Sequence, residues 1–121
     1  MDKIKESGEN YLETILILKE KKGSVRSVDI VEELGYSKSS VSRGVNLLKE
    51  KGYIEIDSYG YISFTKDGDQ AVKRIYERHR ILTDFLISLG VPKSVAEDDA
   101  CKIEHVISEK TMDIIKGMMS K

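Results

Sequence analysis

The sequence predicts a mainly α-helical fold with one small β-hairpin, arranged as a winged helix-turn-helix followed by a further helical segment. Two observations support this fold class. Apolar residues recur with helical spacing over most of the chain, and the period changes to two only between Gly52 and Thr65. Glycines at positions such as Gly23, Gly35 and Gly90 stand where one predicted element ends and another begins.

The first two helices are predicted from apolar spacing and from the residues at their ends. Residues 9–22 have an apolar face, and this helix is expected to end near Gly23. Ser27 is a predicted N-cap for a short helix through Leu34, which Gly35 ends.

The third helix is predicted to follow Ser37, a good N-cap residue. Val41, Val45 and Leu48 recur at intervals that place them on one buried helical face. Because two short helices are joined here by a tight turn, the pair is predicted to form a helix-turn-helix.

A β-hairpin is predicted behind the helix-turn-helix. Ile54 and Ile56, and later Ile62 and Phe64, alternate with polar residues on either side of the turn at 57–60. A helix-turn-helix followed by such a hairpin is a winged helix.

Three helices are predicted after the hairpin. Thr65 is expected to cap a long amphipathic helix over 66–89. A further helix is predicted from Pro92 to about Ser108, and a short last helix over 111–119.

Length and composition limit the classes of protein that the chain can represent. With 121 residues, 40% of them hydrophobic, a winged-helix domain at 1–70 and a helical domain at 71–121 are expected. A single cysteine excludes an intrachain disulfide. No apolar run approaches the length of a membrane span and no signal peptide is recognisable, so a cytoplasmic protein without membrane contact is expected.

The charge is unevenly distributed along the chain. Residues 19–51 contain eight basic and five acidic side chains, a net charge of +3, whereas the whole chain has a net charge of −1. A basic helix-turn-helix with an acidic remainder fits a DNA-binding protein that holds cations elsewhere.

Double-stranded DNA is the partner that the helix-turn-helix predicts. The N-terminal part of the second helix of such a motif approaches base edges in the major groove. Arg43 could contact guanine with two hydrogen bonds, while the serines and a wing tyrosine would contact phosphates. The predicted DNA-binding residues are Ser37, Lys38, Ser39, Ser40, Ser42, Arg43 and Tyr59. The alternative use of this fold is a protein-interaction module.

A second group of residues predicts a metal site. Cys101, Glu104 and His105 stand at i, i+3 and i+4 of a predicted helix, so a thiol, a carboxylate and an imidazole share one face. Nitrogen and oxygen donors are also available on earlier helices, at His79, Asn10 and Glu13.

The chain resembles the iron- and manganese-dependent repressors of the diphtheria-toxin-repressor and manganese-transport-regulator family. The resemblance covers nearly the whole length. It depends on N-Y-L-E-T-I at 10–15, S-S-V-S-R at 39–43, H-R-I-L from His79, and A-C-K-I-E-H-V-I-S at 100–108.

This resemblance implies a homodimer that binds palindromic operators when it is loaded with metal. Cys101, Glu104 and His105 match the activating site, and Asn10 stands where the family has a first-helix ligand. The family also implies a short form that lacks the SH3-like third domain of the longer iron regulators.

The resemblance implies a second metal site of mixed type. His79 matches a ligand found in both branches, Glu13 one found in the manganese branch, and Glu97 stands where the iron branch has a histidine. Thr83 replaces a carboxylate of the iron-branch site.

Cys101 indicates which metals to expect. Thiolate is a soft ligand that suits iron, zinc or cobalt better than manganese, so Fe(II) is the expected corepressor and Mn(II), Co(II) and Zn(II) are the alternatives.

Two other functions are compatible with the same residues. Cys101 could sense oxidants in a metal-independent winged-helix regulator, or a small molecule could bind between helices. Cys101 with His105 could also form the nucleophile and base of an enzyme, but no oxyanion-hole loop or third orienting group is recognisable, so an enzyme is not expected.

Overall fold

The fold is described from a computed structural model, in which residues 6–120 are defined. Within this range there are six helices and two strands: α1 (Glu6–Lys22), α2 (Ser27–Leu34), α3 (Lys38–Glu50), β1 (Ile54–Ile56), β2 (Ile62–Phe64), α4 (Lys66–Ser88), α5 (Lys93–Ile103) and α6 (Glu109–Met119). The predicted fold class, mainly α with one hairpin, is confirmed. The chain divides into two compact units between Val72 and Lys73.

The core of the first unit is formed where α1, α2 and α3 pack against one another and where α3 packs against β1. Its apolar side chains come from every element of the unit and are almost completely removed from solvent. They include Leu12, Ile15, Leu18, Val25, Ile30, Val41, Val45, Leu48, Ile54 and Ile62. Burial of this size stabilises the unit through the hydrophobic effect, and it gives the exposed face of α3 a rigid support.

Close packing between α1 and α3 requires a glycine on α3. A Cβ atom at Gly44 would collide with the ring of Tyr11, which is itself buried. The hydroxyl of Tyr11 donates a 3.4 Å hydrogen bond to the carbonyl of Ser40, one turn before Gly44. The start of α3 is therefore fixed against α1 by shape and by a hydrogen bond.

The start of α2 differs by one residue from the sequence-based prediction. Arg26, rather than Ser27, is the N-cap residue, and Ser27 is the first residue of the helix. The carboxylate of Asp29 accepts a 2.8 Å hydrogen bond from the backbone N–H of Arg26. Because the N–H of Asp29 also donates a 3.0 Å hydrogen bond to the carbonyl of Arg26, these reciprocal contacts place the N-cap at Arg26 rather than at Ser27.

The predicted hairpin is present, and its strands pair with Ile54 opposite Phe64 and Ile56 opposite Ile62. Its turn is closed by Asp57, whose Oδ1 accepts 2.9 Å hydrogen bonds from the backbone N–H groups of Tyr59 and Tyr61.

The second unit is built from α4 beyond Val72, α5 and α6. Leu82, Ala100 and Met112, one from each helix, form its buried cluster. Four partly buried isoleucines pack against this cluster: Ile81, Ile103, Ile107 and Ile115. This cluster fixes the part of α4 that contains His79 relative to the end of α5 that contains Cys101.

The prediction that α5 continues to Ser108 is wrong, because the helix ends at Ile103. Ser108 adopts an extended conformation and its side chain caps α6 by accepting a 3.2 Å hydrogen bond from Thr111 N–H. An N-cap residue must be non-helical, so α5 ends before it. Glu104 keeps a helical hydrogen bond to Ala100, with N–H to O at 2.9 Å, and the relation between Cys101 and Glu104 is preserved.

None of the helices in the described range combines the length and the apolar character that a bilayer crossing requires.

Candidate metal centre and nucleic-acid interface

Three donors of different chemistry come together in the second unit. One ligand atom from each of His79, Cys101 and Glu104 lies within 4.8 Å of the others. His79 is on α4, Cys101 is in the last turn of α5, and Glu104 directly follows α5. A nitrogen, a sulfur and an oxygen donor therefore converge from two chain segments that the apolar cluster holds together.

Glu104 is the buried centre of this group. It is 1% exposed, and each of its carboxylate oxygens faces a histidine. His79 Nδ1 lies 2.9 Å from Oε2, and His105 Nε2 lies 3.3 Å from Oε1. A carboxylate buried at this depth is unfavourable unless hydrogen-bond donors or cations surround it, and the 2.9 Å hydrogen bond between His79 and Oε2 supplies one such contact.

Hydrogen bonds also fix the backbone around these donors. Thr83 donates a 2.8 Å hydrogen bond to the carbonyl of His79, one turn earlier on α4. Arg78 donates a 3.1 Å hydrogen bond from Nη1 to the carbonyl of Glu104. Arg78 was not among the residues predicted from the sequence, although its place directly before a predicted ligand was a signal that could have identified it.

The donor set fits a divalent transition metal. Metal bonds to nitrogen and sulfur are about 2.0 to 2.3 Å long, so ligands of one ion lie within roughly 4.5 Å of each other. The ligand atoms of His79, Cys101 and Glu104 lie within 4.8 Å of one another, which is close to this separation. Small side-chain rotations would bring them to the distance that a bound ion requires. Cys101 is exposed while Glu104 is buried, which leaves the group accessible to an incoming ion.

The remaining predicted ligands have different environments. His105 contacts the carboxylate of Glu104, with its side chain 6% exposed, but it does not belong to the group of converging donors. Glu97 is exposed on α5 and is also outside that group. Asn10 and Glu13 are on α1 in the first unit, and their assignment as ligands remains a prediction from the sequence.

In the first unit, local hydrogen bonds shape the start of α3. Ser37 is the N-cap, and its Oγ accepts a 3.2 Å hydrogen bond from the backbone N–H of Ser40. The same Oγ lies 2.9 Å from Ser40 Oγ and 3.3 Å from Ser39 Oγ. Ser37 and Ser40 therefore hold the helix start, and their hydroxyls are already engaged.

The other predicted DNA-binding residues of α3 are exposed. Lys38, Ser39, Ser42 and Arg43 all lie on its solvent face. Burial and the neighbouring Tyr36 raise the pKa of Tyr11, and Arg43 opposes this effect through its charge. A phenol with a raised pKa remains protonated at neutral pH, so Tyr11 can keep its hydrogen bond to the start of α3.

The β-hairpin of β1 and β2, which is the wing of the winged helix, presents aromatic side chains. Tyr59 is 75% exposed at the hairpin turn, as expected for a residue that reaches a partner. A nearby pair, in which the guanidinium of Arg26 lies 4.3 Å from the centre of the Tyr61 ring, was not predicted from the sequence. Tyr36 was also missed; it is 46% exposed directly before the cap of α3. No periodic pattern marked Arg26, Tyr36 or Tyr61, because all three lie outside helices and strands.

Comparison with known protein families identifies both units. Residues 3–62 match the N-terminal DNA-binding domain of iron-dependent repressors. Residues 65–121 match the iron-dependent repressor metal-binding and dimerisation domain. Together the two matches span almost the whole chain.

Individual relatives agree with these matches. An uncharacterised helix-turn-helix regulator of Methanocaldococcus jannaschii is 30% identical over 118 residues, covering 96% of this chain and 94% of the relative. The transcriptional regulator MntR of Listeria welshimeri is 38% identical over 113 residues, covering 93% and 80%.

A solved structure is similar over the same range. A manganese-dependent transcriptional repressor in complex with manganese matches with a TM-score of 0.83 and 28% identity, over 93% of this chain and 52% of that one. The family consists of transcriptional regulators, which confirms that the chain is not an enzyme. The chain belongs to the iron-dependent repressor family of metal-dependent, DNA-binding transcriptional regulators.

Proposed function

We propose that this regulator represses metal-uptake genes and that Fe(II) or Mn(II) is its corepressor. The observation that supports this most directly is the convergence of His79, Cys101 and Glu104 within 4.8 Å. A bound divalent ion supplies positive charge and fixed coordination geometry, and it joins donors from separate segments of the chain.

Each donor would have a distinct role. Glu104 supplies a buried charged oxygen, His79 a nitrogen from α4, and Cys101 a thiolate at the exposed side. His105 either joins the coordination or orients Glu104 through its 3.3 Å contact. The predicted α1 donors, Asn10 and Glu13, would add oxygen ligands.

The thiolate leads us to prefer Fe(II) over Mn(II), because sulfur ligands suit softer ions. Co(II) and Zn(II) are also expected to bind in vitro, since affinity for divalent ions rises from manganese through iron to cobalt. The manganese-dependent repressor among the solved relatives supports a first-row divalent ion, and Cys101 is the residue whose chemistry favours iron.

The DNA partner would be a palindromic operator bound by a homodimer. Two recognition helices must be about 34 Å apart to enter successive major grooves, so a dimer is required for this type of recognition. In the second unit Leu89 and Val95 are 65% and 46% exposed, and they are candidates for the dimer surface. Operator binding implies a cytoplasmic protein.

Metal and operator binding should be linked reciprocally. If metal favours the conformation that binds DNA, DNA must tighten metal binding by the same factor. Because this relation is thermodynamic, it can be tested without knowing the conformations involved.

The test is an anaerobic DNA-binding titration with a pool of genomic fragments. Chelated protein is compared with protein given Fe(II), Mn(II), Co(II) or Zn(II), and the series is repeated with Cys101→Ala. We expect binding that depends on metal and is lost or strongly weakened in the variant, with Fe(II) effective at the lowest concentration.

Equal operator binding with and without chelator would contradict the proposal. The chain would then be a regulator that senses something other than a metal ion. Binding by Cys101→Ala with Mn(II) but not with Fe(II) would keep the metal site and would assign the preference for iron to the thiolate.

A further inference from the structure

Arg78 contacts the backbone of the residue that lies at the centre of the donor group. Its Nη1 donates a 3.1 Å hydrogen bond to the carbonyl oxygen of Glu104, and its Nη2 lies 3.4 Å from Oε1 of Glu109. The Arg78 side chain is only 15% exposed. One guanidinium thus joins α4 to the turn after α5 and to the first residue of α6.

The carbonyl of Glu104 is in a position that needs a donor. It follows the last residue of α5, where carbonyl groups have no partner further along the helix. A cation at this end of a helix is also favoured by the helix dipole. An arginine can satisfy the carbonyl and still reach a second acceptor, because its five N–H donors have a fixed planar geometry.

Two consecutive residues of α4 therefore hold opposite ends of Glu104. Arg78 binds its backbone carbonyl, and the imidazole of His79 lies 2.9 Å from its carboxylate. A side chain fixed at both ends has few alternative positions. Hydrogen bonds of this kind, made to a ligand by a residue that does not touch the ion, orient the ligands of metal centres.

We propose that Arg78 is a positioning residue for the metal centre: its hydrogen bond to the carbonyl of Glu104 fixes the turn that presents the Glu104 carboxylate to the ion. This inference depends on the proposed function, because it assigns a role at the same site. Arg78 itself is not a ligand, since a guanidinium has no lone pair to offer.

The contact of Arg78 with Glu109 is a weaker contribution to the site than its hydrogen bond to the carbonyl of Glu104. Glu109 is 78% exposed, and an exposed ion pair contributes little. The contact with the carbonyl, by contrast, lies among partly buried groups. Substitutions at Arg78 and Glu109 should therefore have different effects on metal affinity.

The experiment measures Co(II) affinity and the thiolate-to-cobalt absorption of the full chain under anaerobic conditions. We compare the wild type with Arg78→Met, Arg78→Lys, Glu109→Gln and Arg74→Met. Arg74 is an exposed basic residue one turn earlier on α4, so it controls for loss of positive charge. Thermal midpoints without metal report the stability of each variant.

We expect Arg78→Met to weaken Co(II) binding about tenfold, the lower end of the range for loss of a residue that orients a metal ligand. Arg78→Lys should weaken it about threefold, because one ammonium cannot replace both contacts of the guanidinium. Glu109→Gln and Arg74→Met should retain the affinity of the wild type.

Wild-type affinity in Arg78→Met would overturn the inference, even if that variant were less stable without metal. So would equal losses in Arg78→Met and in Glu109→Gln or Arg74→Met. If Arg78→Met does not fold, Arg78→Lys decides by the same criterion. Failure of the wild type to bind Co(II) would instead contradict the proposed metal centre.

Discussion

The start of α3 and the donor group of the second unit are both polar, but they are built in opposite ways. At α3 the side chains are exposed, and the hydrogen bonds of Ser37 reach only two or three residues along the chain. In the donor group, Glu104 is 1% exposed and interacts with His79, which lies 25 residues earlier. The start of α3 is therefore held by solvent-exposed contacts between near neighbours in the sequence, whereas Glu104 is held by buried contacts between residues far apart in the sequence.

This difference sets how each site should respond to substitution. Exposed contacts are screened by water and salt, so individual losses at α3 should be graded and dependent on ionic strength. A buried carboxylate that loses its environment, or an imidazole that loses its carboxylate, leaves a desolvated group without compensation. We therefore expect substitutions of the donor side chains themselves to cause large losses of metal affinity rather than graded ones.

The largest effect is expected for Glu104→Gln. This change removes the buried negative charge with little change in volume. Co(II) affinity should fall by about 100-fold or more, at or beyond the largest losses expected for residues that only orient a ligand. The measurement is an anaerobic Co(II) titration. Glu109→Gln is the matched control, since Glu109 is an exposed glutamate on α6, and Glu97→Gln is titrated beside them.

Unchanged Co(II) affinity in Glu104→Gln would contradict a metal centre formed by His79, Cys101 and Glu104. A large loss in Glu97→Gln would support its sequence-based assignment as a second-site ligand and would require a wider metal site.

A smaller effect is expected for Arg43→Met on α3. Loss of a bidentate contact to guanine reduces discrimination by about 1–3 kcal/mol, so affinity for the selected operator should fall about tenfold or more while non-specific binding changes less. Fluorescence anisotropy at several salt concentrations measures both quantities. Lys49, exposed in the last turn of α3, provides the control variant Lys49→Met.

If Lys49→Met and Arg43→Met lose the same affinity for operator and for unrelated DNA, Arg43 contacts phosphate and not a base.

Substitution of the two capping serines allows a direct comparison of the two sites. Ser37 caps α3 and Ser108 caps α6, each accepting a 3.2 Å hydrogen bond from a backbone N–H. Ser37→Ala and Ser108→Ala should each lower the free energy of unfolding by about 1 kcal/mol. Only Ser37→Ala should also weaken operator binding under conditions where both variants are fully folded. Chemical denaturation and anisotropy measure the two effects, and equal operator affinities would show that Ser37 only caps the helix.

The smallest effect concerns Asp29, in the first turn of α2. The hydrogen bond from the Arg26 backbone N–H, followed by that from Lys22, lowers the pKa of Asp29. A carboxylate with a lowered pKa stabilises the fold above its unfolded pKa of about 3.9, and this contribution is lost as the pH falls through the folded value. Asp29→Asn should therefore be less stable at pH 7 by about 0.5 kcal/mol, the lower end for helix caps.

The difference between Asp29→Asn and the wild type should shrink towards pH 3, as measured by the thermal midpoints of the two proteins without metal. A difference that is constant with pH would mean that the carboxylate charge does not contribute.

Several features followed from the sequence because they depend on near neighbours. Ser37 as the cap of α3, Thr65 as the cap of α4 and the alternation of Ile54 and Ile56 are local patterns, and the structure has each of them. The boundary of α5 was missed because two local rules competed there. Helical spacing favoured continuation to Ser108, while the capping preference of Ser108 ended the helix earlier.

The helices, the hairpin and the types of donor atom were predictable from the sequence, because they follow from the spacing of side chains along one segment. Which donors meet depends on how the helices pack. The tertiary structure placed His79 and Arg78 of α4 against Glu104, and left Glu97 exposed on the same helix as Cys101. The physical reason is that packing of Leu82, Ala100 and Met112 fixes the relative position of three helices, and side-chain periodicity within one helix contains no information about that position.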